Sequence, residues 1–380
     1  MLAKVLRIHW HDKLPVFSVD FDRNDSTRMV WKLASQNDGE VIPEYCATLS
    51  RHSRPVNCVR FASSGTLLAS AGDGGTLIIW RQSEHPIAHS KMFGEEDESS
   101  EYWAAVAIIR VSDREDIYDL AWSPDDRYVL IGLTDNTAQI WELSTLSESC
   151  DRSVKIWKTS TRRDGTLQAL PLNKLVKSTT GHYFHDETLV SFFRRPAFTP
   201  DGGLVILPAG NGNCFYIQSR SQISGTPVAQ IGGFDRPVLG VRCNPRFFQL
   251  EGDSWLARPY RMVYAVFTMD MVAIFDTRQS IPIATCRDLH YGSLTDASWS
   301  ADGYTLLVAS TDGFCSLVSF SREELGETLP EEQQREIMVE LNASQIKRVP
   351  PQFFNVMADS SRLPSSDPID VLEVKGYSPL

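Results

Sequence analysis

The feature that most constrains this chain is that it repeats itself. The segment DLAWSPDDRYVLIGLTDNTAQIW (119–141) recurs, with substitutions, as DASWSADGYTLLVASTDGFCSLV (296–318). Asp119, Trp122, Ser123, Asp125 and Asp135 thereby fall on Asp296, Trp299, Ser300, Asp302 and Asp312. A further copy, NCVRFASSGTLLASAGDGGTLIIW (57–80), places Phe61 on Trp122 and Trp80 on Trp141. Another, RRPAFTPDGGLVILPAGNGNCFYI (194–217), keeps Phe198, Pro200, Asp201 and Gly202.

Each copy reads as a strand ending in an aromatic, a turn of the Ser-Pro-Asp-Gly kind, a strand of small and aliphatic residues, a second turn and a closing strand. Pro, Asp and Gly provide the restricted and the positive φ that a tight hairpin needs, and the β-branched and aromatic residues suit antiparallel sheet. Such a small sheet cannot close on itself, so the units must pack face to face around an axis. The expected fold class is therefore all-β, a WD40 β-propeller, since the Asp-to-Trp spacing resembles the WD-repeat signature. Units centred near 16–33, 52–82, 114–143, 148–159, 192–220, 237–279 and 294–322 make it nominally seven-bladed. Trp80, Trp122, Asp135, Trp141, Asp151, Trp157, Trp299 and Asp312 are the expected structural WD positions.

Two units are short. Phe21 and Trp31 stand too close together for a whole first blade, and the closing phrase DNTAQIW (135–141) is followed almost at once by DRSVKIW (151–157). The fourth blade is expected to retain its last strand only, so the first and fourth blades both look truncated.

Composition removes several function classes. The chain is 42% hydrophobic with a net charge of −11, and no apolar run reaches signal-peptide or membrane-span length, so a soluble intracellular protein with no membrane partner is expected. The negative balance argues against wholesale phosphate binding, leaving DNA an indirect partner. Seven cysteines are scattered singly with no CxxC, which fits reduced buried thiols rather than a metal site. GxSxG, GxxxxGK and HExxH are absent, and the recurring aspartates sit at blade turns, so neither catalysis nor a cofactor is expected. Binding at the end faces and central channel is the default for such a ring.

Three stretches are more distinctive than the repeat: HWHDKLPVFSVDF (9–21), FHDETLVSFFRRPAFTPDGGLVILPAG (184–210) and the continuous pair of units from 260 to 320. Together they resemble the middle WD-repeat subunit of the chromatin assembly factor complex, a nuclear histone chaperone, over roughly 4–326. The resemblance implies a non-enzymatic scaffold joined to a large charged subunit and a small WD-repeat histone-binding subunit, assembling histones H3 and H4 into nucleosomes during DNA replication and repair. It also implies contact with an Asf-type histone chaperone through a basic motif beyond the propeller. IKRVPP (346–351) is the only basic patch there and is not taken as that motif. The WD half of a Hir-type histone chaperone is the nearest alternative, although its long second domain has no counterpart here. A WD adaptor of an unrelated complex, such as a ubiquitin-ligase substrate receptor, is the other.

Two candidate partner-binding segments stand out. Phe192, Phe193, Arg194 and Arg195 pair aromatic anchors with fork-like donors, a combination common at interface hot spots. On that reading, glutamate at 194 and 195 weakens partner binding without unfolding the ring; on the other, one Phe packs between blades and the arginines are solvated or satisfy turn carbonyls. The acidic run GEEDESSE (94–101), with Glu95, Glu96, Asp97 and Glu98 at its centre, is suited either to a basic partner or to a solvated loop. His182 and His185 have a spacing compatible with metal ligands on a helix, but nothing converges on them and a turn role is expected. The propeller is assigned to 1–326 and an acidic, Ser/Pro-containing, largely disordered tail to 327–380, with a short helix allowed in its first part.

Overall fold

The computed structural model describes residues 1–344 apart from 7–13, 22–30, 36–40, 84–99, 111–114, 123–125, 127, 135–137, 143–144, 148–153, 162–166, 176, 179–180, 186–188, 190, 192, 223–224, 253, 255 and 257. Strand β1 (Leu2–Leu6) precedes a hairpin of β2 (Trp31–Ser35) and β3 (Val41–Tyr45). One four-stranded antiparallel sheet follows from β4 (Val56–Phe61), β5 (Leu67–Gly72), β6 (Thr76–Ser83) and β7 (Tyr102–Arg110), and another from β8 (Ile117–Trp122), β9 (Tyr128–Leu133), β10 (Ala138–Glu142) and β11 (Thr145–Ser147). Two-stranded sheets come next, β12 (Val154–Thr161) with β13 (Leu167–Leu175), and β14 (Lys177–Ser178) with β15 (Gly181–His182). The chain then builds β16 (Ala197–Phe198), β17 (Leu204–Gly210), β18 (Cys214–Ser219) and β19 (Ala229–Ile231) into one sheet. The next sheet holds β20 (Gly240–Gln249), β21 (Tyr260–Phe267), β22 (Met271–Asp276) and β23 (Ala284–Arg287).

The last sheet shows how the ring is closed. β24 (Leu294–Trp299), β25 (Thr305–Ser310) and β26 (Cys315–Ser319) accept β1 as their outer strand, with Leu2 opposite Ser319 and Leu6 opposite Cys315. The first residues of the chain therefore complete the last sheet, and the Met1 ammonium pairs with the Glu324 carboxylate. Between β1 and β2, residues 14–21 line the axis without forming a named strand; Val16 N–H donates to Ser310 O at 3.1 Å and Phe21 N–H to Ser298 Oγ at 3.1 Å.

The repeated turn explains why these hairpins form. At Ser300-Ala301-Asp302-Gly303, Gly303 N–H donates to Ser300 O at 3.0 Å and Gly303 adopts φ 82°, a conformation that suits glycine. The turns at Gly65 and Gly202 repeat both features, with φ 70° and 63°. Alternate strand residues then meet between sheets: Ile117, Leu120, Val129 and Ile131 pack on Ala69, Leu77 and Ile79, and Leu294, Trp299 and Leu306 pack on Phe248, Val263 and Ala265.

The positions expected to hold short units hold two-stranded sheets. The strand around Trp157 is β12, and it pairs with β13 rather than standing alone. One consequence is exposed apolar surface on the flanking four-stranded sheets, where Leu130 is 43% and Phe198 54% accessible. The first part of the tail, where the sequence allows a short helix, holds one and is joined to the propeller. Residues 327–329 pair along β20, with Gln249 N–H to Glu327 O at 2.9 Å and Leu329 N–H to Phe247 O at 2.8 Å. Helices α1 (Arg322–Leu325) and α2 (Glu331–Ser344) flank this segment. Ile337 and Met338 of α2 pack on Phe247, Tyr260 and Met262, so apolar burial anchors the helix that the sequence allows there. Residues 345–380 lie outside the described residues. Among the described residues no helix is long and apolar enough to cross a membrane.

Candidate interaction site at the propeller axis

One repeat position supplies the centre of the molecule. The alignment that places Phe61, Trp122, Phe198 and Trp299 together also places Cys58, Asp119, Arg195 and Asp296 together, three residues earlier in each unit. In a ring of sheets that position points at the axis, and these side chains converge there. Arg195 is fully buried. It donates to Asp119 Oδ1 at 2.6 Å, to Thr295 O at 3.2 Å, to Phe17 O at 3.1 Å and to Asn57 O at 3.0 Å. Its backbone is tied to the neighbouring sheet as well, since Arg195 N–H reaches Leu239 O at 3.0 Å and Val241 N–H reaches Arg195 O at 2.8 Å.

Two further arginines, Arg60 near the end of β4 and Arg242 near the start of β20, complete the network. Arg60 donates to Asp296 Oδ2 at 2.9 Å and to Asp119 Oδ1 at 3.1 Å; Arg242 donates to Asp296 Oδ1 at 2.6 Å. Ser18 Oγ donates to Asp296 Oδ2 at 2.6 Å. Asp20 joins through Ser298 Oγ, 2.8 Å away, and the Phe61 N–H, 2.9 Å away. Burial by itself would raise the Asp296 pKa, but Arg195, Arg242, Arg60 and the Ser18 hydroxyl outweigh it and hold the carboxyl well below the ordinary carboxylate range. Burial, with Asp119 adding to it, pushes the neighbouring Cys58 thiol up to about 12, which keeps it protonated and unreactive. Asp119 is the most exposed of the ion-paired side chains, with 28% of its side chain accessible against 11% for Arg60 and 16% for Arg242.

The FFRR segment divides between inside and outside. Phe193 sits 6.0 Å from Phe17, centroid to centroid, and the Arg195 guanidinium lies 4.5 Å from the Phe193 ring centroid. Arg194 is exposed and donates to His185 O at 3.3 Å. Phe192 lies outside the described residues. The expectation of an exposed arginine pair is thus corrected at Arg195, because each nitrogen of that guanidinium is engaged inside the ring. Glutamate there would place a fourth carboxylate beside Asp119, Asp296 and Asp20, so it is a folding substitution and not a surface one.

The other expected positions fall as follows. Asp312 accepts from the Tyr291 and Phe314 N–H groups, each at 3.0 Å, and lies 3.2 Å from His290 Nδ1, the turn role expected of it. Trp80 Nε1 donates to Ser70 Oγ, which is also 2.8 Å from His52 Nε2. Trp122 and Trp299 donate to Arg60 O and Arg242 O of the preceding sheets at 2.9 and 3.0 Å. Trp141 lies in β10 and Trp157 in β12. Asp135, Asp151, Glu95, Glu96, Asp97 and Glu98 lie outside the described residues. His182 is exposed on β15 and His185 is half-buried. Sequence reasoning passed over Arg60, Asp119, Arg242 and Asp296 as members of one site; the available signal was opposite charge at one repeat position, Asp119 and Asp296 against Arg195.

These features define a β-propeller with a charge-locked axis and a partly open aromatic mouth at Phe17 and Phe193. A family model described as the CAF1B/HIR1 beta-propeller domain matches residues 1–149 and 143–325. The chain belongs to the CAF1B/HIR1 β-propeller family. It is 33% identical over 421 residues to the B-type subunit of chromatin assembly factor 1 from Gallus gallus, covering 94% of this chain and 74% of that protein. Against the same protein of Mus musculus the identity is 32% over 392 residues, covering 85% and 68%. Protein hir1 of Schizosaccharomyces pombe is more distant, at 28% over 324 residues, covering 77% and 32%. The Gallus gallus alignment is longer than the 380-residue chain, so that relative carries residues with no counterpart here. The two family matches meet at 143–149, between the doubled closing phrases.

Proposed function

We propose that this chain is the non-enzymatic propeller subunit of a nuclear histone chaperone, holding a large charged subunit and a small WD-repeat subunit together while histones H3 and H4 are assembled into nucleosomes at replication and repair. The observation that carries this reading is the 33% identity to the Gallus gallus chromatin assembly factor 1 protein across 94% of the chain. The greater distance to the hir1 protein favours it over a Hir-type assignment. An axis fastened by internal ion pairs leaves the rims free for partners, which is the geometry of a platform. Phe193 and Arg194 at the mouth, and the acidic run containing Glu95, Glu96, Asp97 and Glu98, are the surfaces assigned to partners, the second to a basic segment of a histone or of the large subunit. Contact with an Asf-type chaperone is assigned to the assembled complex.

Reconstitution tests the reading. The purified chain mixed with the two other subunits and H3–H4 should elute as one complex at moderate salt, and Arg194→Glu should weaken it while the melting temperature holds. Elution of the chain alone would overturn the chaperone assignment. Undiminished affinity of the Arg194→Glu chain would remove the mouth from the partner surface.

A further inference from the structure

The repeat that aims Asp296 at the axis also shows what the loop before it does not need. Gly240 occupies the same repeat position as Cys58 and Asp296, since Arg60 O and Arg242 O, two residues further on, each accept the indole N–H of the following sheet. Five residues before that position stand Ser53, Asp235 and Tyr291, in the connections that lead into β4, β20 and β24. Ser53 and Asp235 are exposed polar residues, which suits such a connection. Tyr291 departs from the pattern, and with 108% of its surface accessible it gives nothing to the core. The backbone that carries it is nevertheless fixed. Asp312 Oδ2 accepts from the Tyr291 N–H at 3.0 Å and the Gly292 N–H at 3.3 Å, and Ser293 N–H donates to Thr311 Oγ1 at 2.9 Å. A Cβ on Gly292 would lie 2.5 Å from Asp312 N, so the two loops are in contact. An aromatic ring on a backbone already held in place offers contact area at a small entropy cost, as binding anchors do.

The charges around the ring choose the partner. Both arginines on this corner are already engaged, Arg236 with Asp270 at 3.7 Å and Arg287 with Asp235 at 3.1 Å. Among the described residues neither Asp288, which is exposed, nor Asp312 has a lysine or arginine partner, and His290 beside Asp312 is held neutral because burial lowers its pKa. We propose that Tyr291 anchors an arginine of an extended segment of a partner protein, with the guanidinium against the ring and the carboxylates of Asp288 and Asp312 providing the opposing charge. Arginine fits better than lysine because its planar, weakly hydrated cation stacks on an aromatic face. A second copy of this chain is the disfavoured occupant, since a two-fold contact at Tyr291 would bring Asp288 and Asp312 against the same carboxylates of the other copy.

The test uses the full chain and two fluorescein-labelled peptides, GSRGSRGSRG and GSKGSKGSKG, followed by fluorescence anisotropy at low salt. The arginine peptide should bind about threefold more tightly than the lysine peptide. Tyr291→Ala should weaken its binding about tenfold and Asp288→Asn about threefold. Both variants should keep the parental melting temperature, because the Tyr291 ring is unpacked and asparagine accepts the φ of 56° at position 288. Tyr291→Phe should bind like the parent, since the ring and not the hydroxyl makes the contact. Three results would each sink the proposal: parental affinity in Tyr291→Ala, equal affinity for the two peptides, or a dimeric chain that Tyr291→Ala makes monomeric. Histones and the other subunits are absent from this assay, so its outcome is independent of the histone-chaperone reading.

Discussion

Arg194 and Arg195 are neighbours in sequence and opposites in role. The inner-strand register turns one side chain to solvent and the next to the axis, where a guanidinium with four partners is satisfied and one without them would be intolerable. Arg195→Ala is expected to lower stability by about 3–5 kcal/mol, the usual cost of removing one partner from a buried ion pair, whereas Arg194→Ala should stay within about 0.5 kcal/mol; urea denaturation of the two variants measures both. The sequence already displayed FFRR as unusual, but the pair looked uniform because charge alone does not reveal which way a strand residue points. Asp296 adds a dependence on pH. Its folded pKa lies below the ordinary 3.8, so the unfolded chain takes up the proton first as pH falls. The contribution is complete above about pH 4 and is lost as pH drops through the folded value. Melting curves of the parent chain should therefore fall steeply below about pH 4, and Asp296→Asn should start lower and fall less.

At the scale of elements, the hairpins were legible because their turn chemistry is local: the Ser-Ala-Asp-Gly stretch at 300–303 carries its own hydrogen-bond partners and its own positive-φ glycine. What was not legible was the fate of residues 327–344. Glu331 and Glu332 in the first turn of α2 favour the helix by opposing its dipole, which sequence can show. Its docking depends on Phe247 offering a backbone N–H to Gln334 Oε1 at 3.3 Å, and on an apolar cluster with Tyr260 and Met262. Those partners lie far away in sequence, beside the bulge between Cys243 and Phe247 in β20. A chain ending at Ser344 should melt about 3–6 °C higher than one ending at Gly326, as followed by circular dichroism, because the shorter chain exposes Phe247, Tyr260 and Met262. Equal melting temperatures would place the boundary of the folded unit at 326 after all.

Across the whole molecule, the ring is fastened at its axis, and among the described residues one flank is less covered than the others. Arg195 before β16 reaches Asp119 on β8 directly, although among the described residues the chain between them holds two-stranded sheets alone after β11. The same repeat position shows the difference between a covered and an uncovered flank. Trp299 is buried, with its indole N–H on Arg242 O of the preceding four-stranded sheet. Phe198, its counterpart, follows the two-stranded region and is left 54% accessible. The doubled closing phrase at 135–157 foretold this asymmetry, since a unit without its inner strands cannot cover its neighbour. Trp299→Ala should therefore cost about 3–5 kcal/mol. Phe198→Ser should change stability by no more than about 0.5 kcal/mol and should reduce self-association, because it removes an apolar side chain from an exposed sheet face. Denaturation and static light scattering on the two variants distinguish the cases. A large stability loss in Phe198→Ser would mean that this flank is packed in solution and that the ring is closed there as firmly as at Trp299.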